Sequence, residues 1–139
     1  LLAVQVVGVN EWISRQVLPI LCGEAFLTDP NRDGERRNAE RHLRGNAASV
    51  AKAVRGVLER DSAEAELARI ACPTLVLWGT GDRAIARHLA KSLQEGIAGA
   101  RWVELEGAGH SCTVEDPDAV TNTLLDFWVT VAEREGSGG

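Results

Sequence analysis

Two short loops in this 139-residue chain carry side chains suited to proton transfer, Gly79-Thr80-Gly81-Asp82 and Gly107-Ala108-Gly109-His110. An Asp that accepts an imidazole N–H fixes the ring's tautomer and stabilises the imidazolium, which leaves the other ring nitrogen to act as a base. Such a pair is two thirds of a nucleophilic triad. The third member would be a hydroxyl or thiol, and the serines are Ser14, Ser49, Ser62, Ser92, Ser111 and Ser137. None has glycine two residues away on both sides, so G-x-S-x-G, the sharp strand-to-helix turn that presents a serine nucleophile, is absent. Ser111 adjoins His110 on one loop, with no strand-turn-helix around it. Cys22 and Cys112 lack the surroundings of an activated thiol and read as buried or neutral cysteines. His42 and His88 fall on charged or amphipathic helical stretches and read as solvated. Trp12, Phe26 and Leu27 are candidates to line an acyl pocket, although an apolar helical face would show the same pattern.

For the two loops to meet, strands must bring them to one edge. Thr74 to Trp78 is a short apolar run between Pro73 and Gly79, expected to be a strand buried on both faces. Ile85, Leu89 and Leu93 give a helical stripe ending at Gly96, and Arg101 to Leu105 is a second strand. Strand, helix, strand implies a right-handed βαβ unit with parallel strands. In such sheets ligands sit beyond the carboxyl ends of the strands, so the Asp and His loops fall on the same rim. Asp116 is an expected N-cap with Pro117 at the first helical position, opening an amphipathic helix through Val120, Leu124, Phe127, Trp128 and Val131.

The residues before this unit read as helical. Trp12, Ile13, Val17, Ile20 and Leu21 are at helical spacing, with Asn10 as N-cap and Pro19 as a kink. A turn is expected at Thr28-Asp29-Pro30. The charged stretch 32–44, with Arg36/Glu40 and Glu40/Arg44 four apart, predicts a solvent-facing helix. Gly45-Asn46 marks a stop and a new cap, Val50, Val54, Val57 and Leu58 form a stripe, and Asp61 with Glu64 has capping-box spacing for a short helix through Arg69.

Hydrophobic residues are 45% and charged residues 25% of the chain, as in a globular domain able to bury a core. A net charge of −5 removes the basic footprint of a nucleic-acid binder. Apolar runs such as Val6 to Val9 are far short of the roughly 18 residues that cross a bilayer. The opening Leu1-Leu2-Ala3-Val4 lacks the basic flank of a secretory signal. Three cysteines cannot all pair and are not at metal-ligand spacing, so a reduced, cytoplasmic setting is expected. There is no Met, residue 1 is Leu, and two parallel strands do not make a stable sheet, so a piece of a longer protein is expected.

Ile70-Ala-Cys-Pro-Thr-Leu-Val-Leu-Trp-Gly-Thr-Gly-Asp82, Gly107-Ala-Gly-His110 and Glu115-Asp-Pro117 together resemble the C-terminal half of an α/β-hydrolase. The resemblance implies an α/β fold with residues 1–69 as a helical cap, 70–135 as the C-terminal βαβα part of the core, and 136–139 as a disordered tail. It implies Asp82 as triad acid and His110 as general base, with the serine supplied by a missing N-terminal half. The expected substrate is a small acyl compound, an ester or lactone, with no cofactor, metal, nucleic acid or membrane involved. Epoxide, haloalkane and C–C bond hydrolysis share this frame. The chain departs from the family pattern in lacking the nucleophile elbow, the oxyanion-hole loop and the proline commonly found after the acid. The rival expectation is an inert fragment or pseudo-hydrolase that works as a binding module.

Overall fold

The computed structural model describes residues 11–45 and 47–136. The expected caps Asn10 and Asn46, the apolar residues of 1–9 and residues 137–139 of the expected 136–139 tail lie outside the described residues, while Gly136, expected in that tail, ends the last helix. In chain order the elements are α1 (Glu11–Leu21), α2 (Glu24–Thr28), a 3₁₀ turn (Pro30–Arg32), α3 (Asp33–Gly45) and α4 (Ala47–Glu59). A 3₁₀ stretch (Glu64–Arg69), β1 (Leu75–Gly79), α5 (Arg87–Gly96), β2 (Arg101–Leu105), α6 (Cys112–Glu115) and α7 (Pro117–Gly136) follow. No helix among the described residues is long and apolar enough to cross a membrane.

β1 and β2 pair in parallel, in a register running from Leu75 opposite Arg101 to Gly79 opposite Leu105. Their carboxyl ends are therefore level, and the loops after them leave from one edge. β1 is not buried on both faces as expected: Leu75, Val76 and Leu77 are half-buried, and on β2 Arg101 and Glu104 are exposed. A parallel strand is fully covered only with a neighbour on each side and a helix on each face. Here, among the described residues, each strand has one neighbour.

Three apolar clusters hold the elements together. Leu18, Cys22 and Phe26 pack among α1, α2 and α3, with Leu21, Leu27, Ala39 and Leu43 around them. Leu67, Ile97 and Ala100 join the second 3₁₀ stretch to the end of α5. Leu105, Ala108 and Val120 pack beneath the His110 loop, with Leu77, Val103 and Leu124 against them. Burying a side chain as large as Phe26 is worth about 1.5–3 kcal/mol, which makes the first cluster the anchor of the helical segment.

Several patterned faces do not point where periodicity placed them. Leu89 and Leu93 on α5 are 52% and 47% exposed, and Ile85 lies before the helix begins. α5 instead buries Ala90; its large residues face the side where a two-stranded sheet offers no surface. Trp128 of α7 is exposed while Val120 is buried, and Val57 and Leu58 of α4 are exposed. The side chains of Val50 and Val54 lie outside the described residues.

The polar expectations are met unevenly. Asp116 Oδ1 accepts the Ala119 N–H at 3.0 Å, so it caps as read, and Asp29, read as a turn residue, also caps the 3₁₀ turn by accepting the Asn31 N–H on Oδ1 at 2.8 Å. At the second 3₁₀ stretch the acceptor is Ser62 Oγ, 3.2 Å from the Glu64 N–H, in place of Asp61. Arg44 pairs with Glu40 at 3.6 Å. Arg36 instead pairs with Asp33 at 3.5 Å and donates to the Phe26 and Asp29 carbonyls at 2.9 and 2.5 Å. Residues 32–44 are thus not wholly a solvated face: Arg36 ties α3 to the turn before it.

Candidate active site

The acid loop is shaped by bonds close to Asp82. The Asp82 N–H returns to the Gly79 carbonyl at 3.0 Å, and Oδ1 accepts the N–H groups of Ala84 and Ile85 at 2.7 and 2.9 Å. The Trp78 indole N–H donates to the Ile85 carbonyl at 3.0 Å, and the indole stacks on Trp102 with ring centroids 6.3 Å apart. These bonds hold the loop without the family's proline. With Oδ1 engaged, Oδ2 is turned toward His110 Nδ1 at 3.0 Å. The Asp82 side chain is 6% exposed and that of His110 is 43% exposed. A shielded carboxylate thus faces a ring that reaches solvent, an arrangement able to fix the ring's tautomer.

The base loop is held from further away. The Gly107 N–H donates to Thr80 Oγ1 at 2.8 Å, and the Gly81 N–H to the Ala108 carbonyl at 2.8 Å, which zips the two loops together. The Ser111 N–H donates to the Leu21 carbonyl at 2.8 Å. Glu115, 5% exposed, accepts the Gly109 N–H on Oε1 and Oε2 at 3.1 and 3.0 Å and the Gly23 N–H on Oε2 at 2.7 Å. Arg32 lies 4.4 Å over the Phe26 ring and donates to the Glu115 and Val114 carbonyls. The backbones touch: a Cβ on Gly23 would stand 2.1 Å from the Gly107 carbonyl oxygen. Only glycine permits that approach.

Beside this loop a cavity of about 530 Å³ opens between α1, α3 and the segment after His110. Its apolar wall includes Leu18, Leu21, Leu43 and Val114, its polar side Asn38 and His42, and Ser111 places it next to His110. Of the residues proposed for an acyl pocket, Phe26 is buried beneath this wall with Leu18 and Cys22, and Leu27 packs on the same cluster. Trp12 is 70% exposed on α1. The three do not converge on one surface. Cys22 faces the cavity, but burial and the Glu115 carboxylate push its thiol up to about 11; burial raises Cys112 as well. Both stay protonated near neutrality, which fits the reading of neutral thiols.

Glu115, Gly23 and Arg32 are the residues that sequence reasoning missed. Glu115 was visible as part of the Glu115-Asp-Pro117 motif but was given no role, and Arg32 was visible as one of many charges. The one available signal was Cys22-Gly23, a glycine between two helical stretches.

A model of the Alpha/beta hydrolase family matches residues 3–123. A thermophilic esterase from Thermogutta terrifontis superposes with a TM-score of 0.79 at 26% identity, over 92% of this chain and 46% of that one. The enol-lactonase from Burkholderia xenovorans LB400 gives 0.73 at 28% identity, over 92% and 48%. Among curated proteins, RutD of Klebsiella pneumoniae (strain 342), whose name provisionally assigns it carbamate hydrolysis, is 28% identical over 120 residues, 86% of this chain and 44% of that protein. The chain thus spans about half the length of the relatives it matches.

Proposed function

The chain belongs to the α/β-hydrolase family, and from that membership we propose that Asp82 and His110 are the acid and general base of a Ser-His-Asp triad cleaving an ester, lactone or related acyl bond. The observation that carries this reading is the 3.0 Å contact between His110 Nδ1 and a shielded Asp82 carboxylate at the shared edge of two parallel strands. A serine from the part of the relatives' length that this chain does not span attacks the carbonyl. His110 Nε2 takes the serine proton and later delivers it to the leaving group, while Asp82 keeps the ring in register. Residues 1–69 act as a cap over the site, a role supported by the cavity between α1, α3 and Ser111. The acyl group occupies that cavity, with Phe26 and Leu27 in the apolar cluster behind its wall. The unpaired thiols of Cys22, Cys72 and Cys112 support a cytoplasmic setting.

The test is hydrolysis of a p-nitrophenyl ester by the chain joined to a nucleophile-bearing N-terminal half. His110→Ala is expected to lower turnover by about 10⁴-fold or more; turnover within tenfold of the unmodified protein contradicts the reading. A second reading, a binding module without hydrolysis, is favoured by the absence of G-x-S-x-G from the 139 residues. Stoichiometric labelling of one serine of this chain by a fluorophosphonate would exclude it.

A further inference from the structure

The geometry points to Glu115 as a positioning residue for His110: its buried carboxylate clamps the residue before the base onto the turn between α1 and α2. This rests on His110 being the base. A carboxylate taken out of water is costly unless its oxygens are hydrogen-bonded. Among the described residues no ion pair reaches the Glu115 carboxylate; what meets it is two backbone N–H groups. Gly109, which precedes His110, donates to both oxygens at 3.1 and 3.0 Å, and Gly23 donates to Oε2 at 2.7 Å across 92 residues of sequence.

An ionised carboxylate is an acceptor on both oxygens, whereas an amide of the same shape has one acceptor and a donating NH₂. A Gln oxygen in the place of Oε2 would meet both donors, but its NH₂ would then stand in the place of Oε1, 3.1 Å from the Gly109 nitrogen and donor against donor, which selects Glu over Gln at equal volume. The clamp is further fixed at its main chain, where Arg32 donates to the Glu115 carbonyl. The α1–α2 turn, the loop of the base and α6 consequently move as one unit, and the direction of the imidazole is set by a residue that does not touch it.

The test reads the ring itself. In the ¹⁵N-histidine-labelled 139-residue chain, at a pH where the imidazole is neutral, nitrogen shifts report which ring atom carries the proton. With Asp82 as acceptor, His110 is held as the Nδ1–H tautomer. Glu115→Gln is expected to lose that preference and Glu115→Asp to restore part of it. Asp82→Ala serves as the reference for complete loss. A ring that stays Nδ1–H in Glu115→Gln but not in Asp82→Ala overturns the role of Glu115 alone. A ring that shows no Nδ1–H preference in the unmodified chain, or keeps it in Asp82→Ala, contradicts the Asp82–His110 pairing instead. Should Glu115→Gln fail to fold, amide exchange in the unmodified chain decides. The Gly23 and Gly109 amides are expected to exchange roughly 10- to 100-fold slower than unprotected amides, and unprotected exchange at either one overturns the clamp.

Discussion

The bonds that aim the Asp82 carboxylate close within three residues, at Gly79, Ala84 and Ile85, and the Trp78 brace on Ile85 spans seven. The bonds that aim the His110 loop run to Gly23, 92 residues from Glu115, to Leu21, and from Arg32, 83 residues from Glu115. The Asp82 carboxylate is thus aimed mainly by its own stretch of chain, and the His110 loop both by the Asp82 loop, through Thr80 and Gly81, and by the helical segment that precedes the sheet. The two loops therefore have different vulnerabilities: a change in α1 to α3 should disturb the His110 loop more than the Asp82 carboxylate.

Removing the anchor of the helical segment is the strongest way to break that contrast. Phe26→Ala is expected to cost about 3–5 kcal/mol, measured by urea unfolding. Amide exchange should accelerate at Gly109 and Ser111 before Ala84 and Ile85; equal acceleration would show that the two loops share one support. Gly23→Ala acts on the seam directly, because its Cβ meets the Gly107 carbonyl oxygen at 2.1 Å. A cost of about 1–3 kcal/mol is expected, with amide chemical-shift changes beyond the substituted turn concentrated in residues 107–115. Thr80→Ala deletes the side-chain acceptor of the Gly107 N–H and should cost about 1 kcal/mol, again read by urea unfolding, with the Asp82 Oδ1 bonds intact.

The mildest probe is pH. Burial lifts the Cys22 thiol from 9.0 in the unfolded chain to about 11, so the folded state holds this proton more tightly. The stabilisation is present in full below about 9 and is lost as pH rises through about 11. The unfolding midpoint of the unmodified chain should therefore approach that of Cys22→Ala over this window. A constant difference would mean that the thiol does not titrate in the fold.

Asp82 and His110 were legible because each follows its strand directly, and the local order of strand, glycine and polar residue is written in adjacent positions. Two parallel strands then bring the loops together without further information. Glu115 was not legible, since nothing in the residues around it names Gly23 as a partner. Arg32 and Arg36 looked like solvated charges because, beside their i,i+3 partners Glu35 and Asp33, their acceptors are main-chain carbonyls, which no side-chain spacing encodes. The stripes on α4 and α5 were readable as helices but not as surfaces: periodicity gives a face, and the neighbouring element decides whether anything covers it. For the same reason β1 was placed within one residue while its burial on both faces was overestimated.

The Trp78 indole has a use beyond bracing the loop of the acid. Trp12 and Trp128 stand in solvent, whereas Trp78 is buried against Trp102, with the Lys91 ammonium 4.5 Å over that second ring. A soluble quencher such as iodide would extinguish the two exposed emitters first. The fluorescence left behind comes from the half-buried Trp102 and from Trp78, whose N–H is bonded to Ile85, one residue from Ala84 and three from Asp82. The protein therefore carries its own optical gauge of the acid's surroundings, readable without any label.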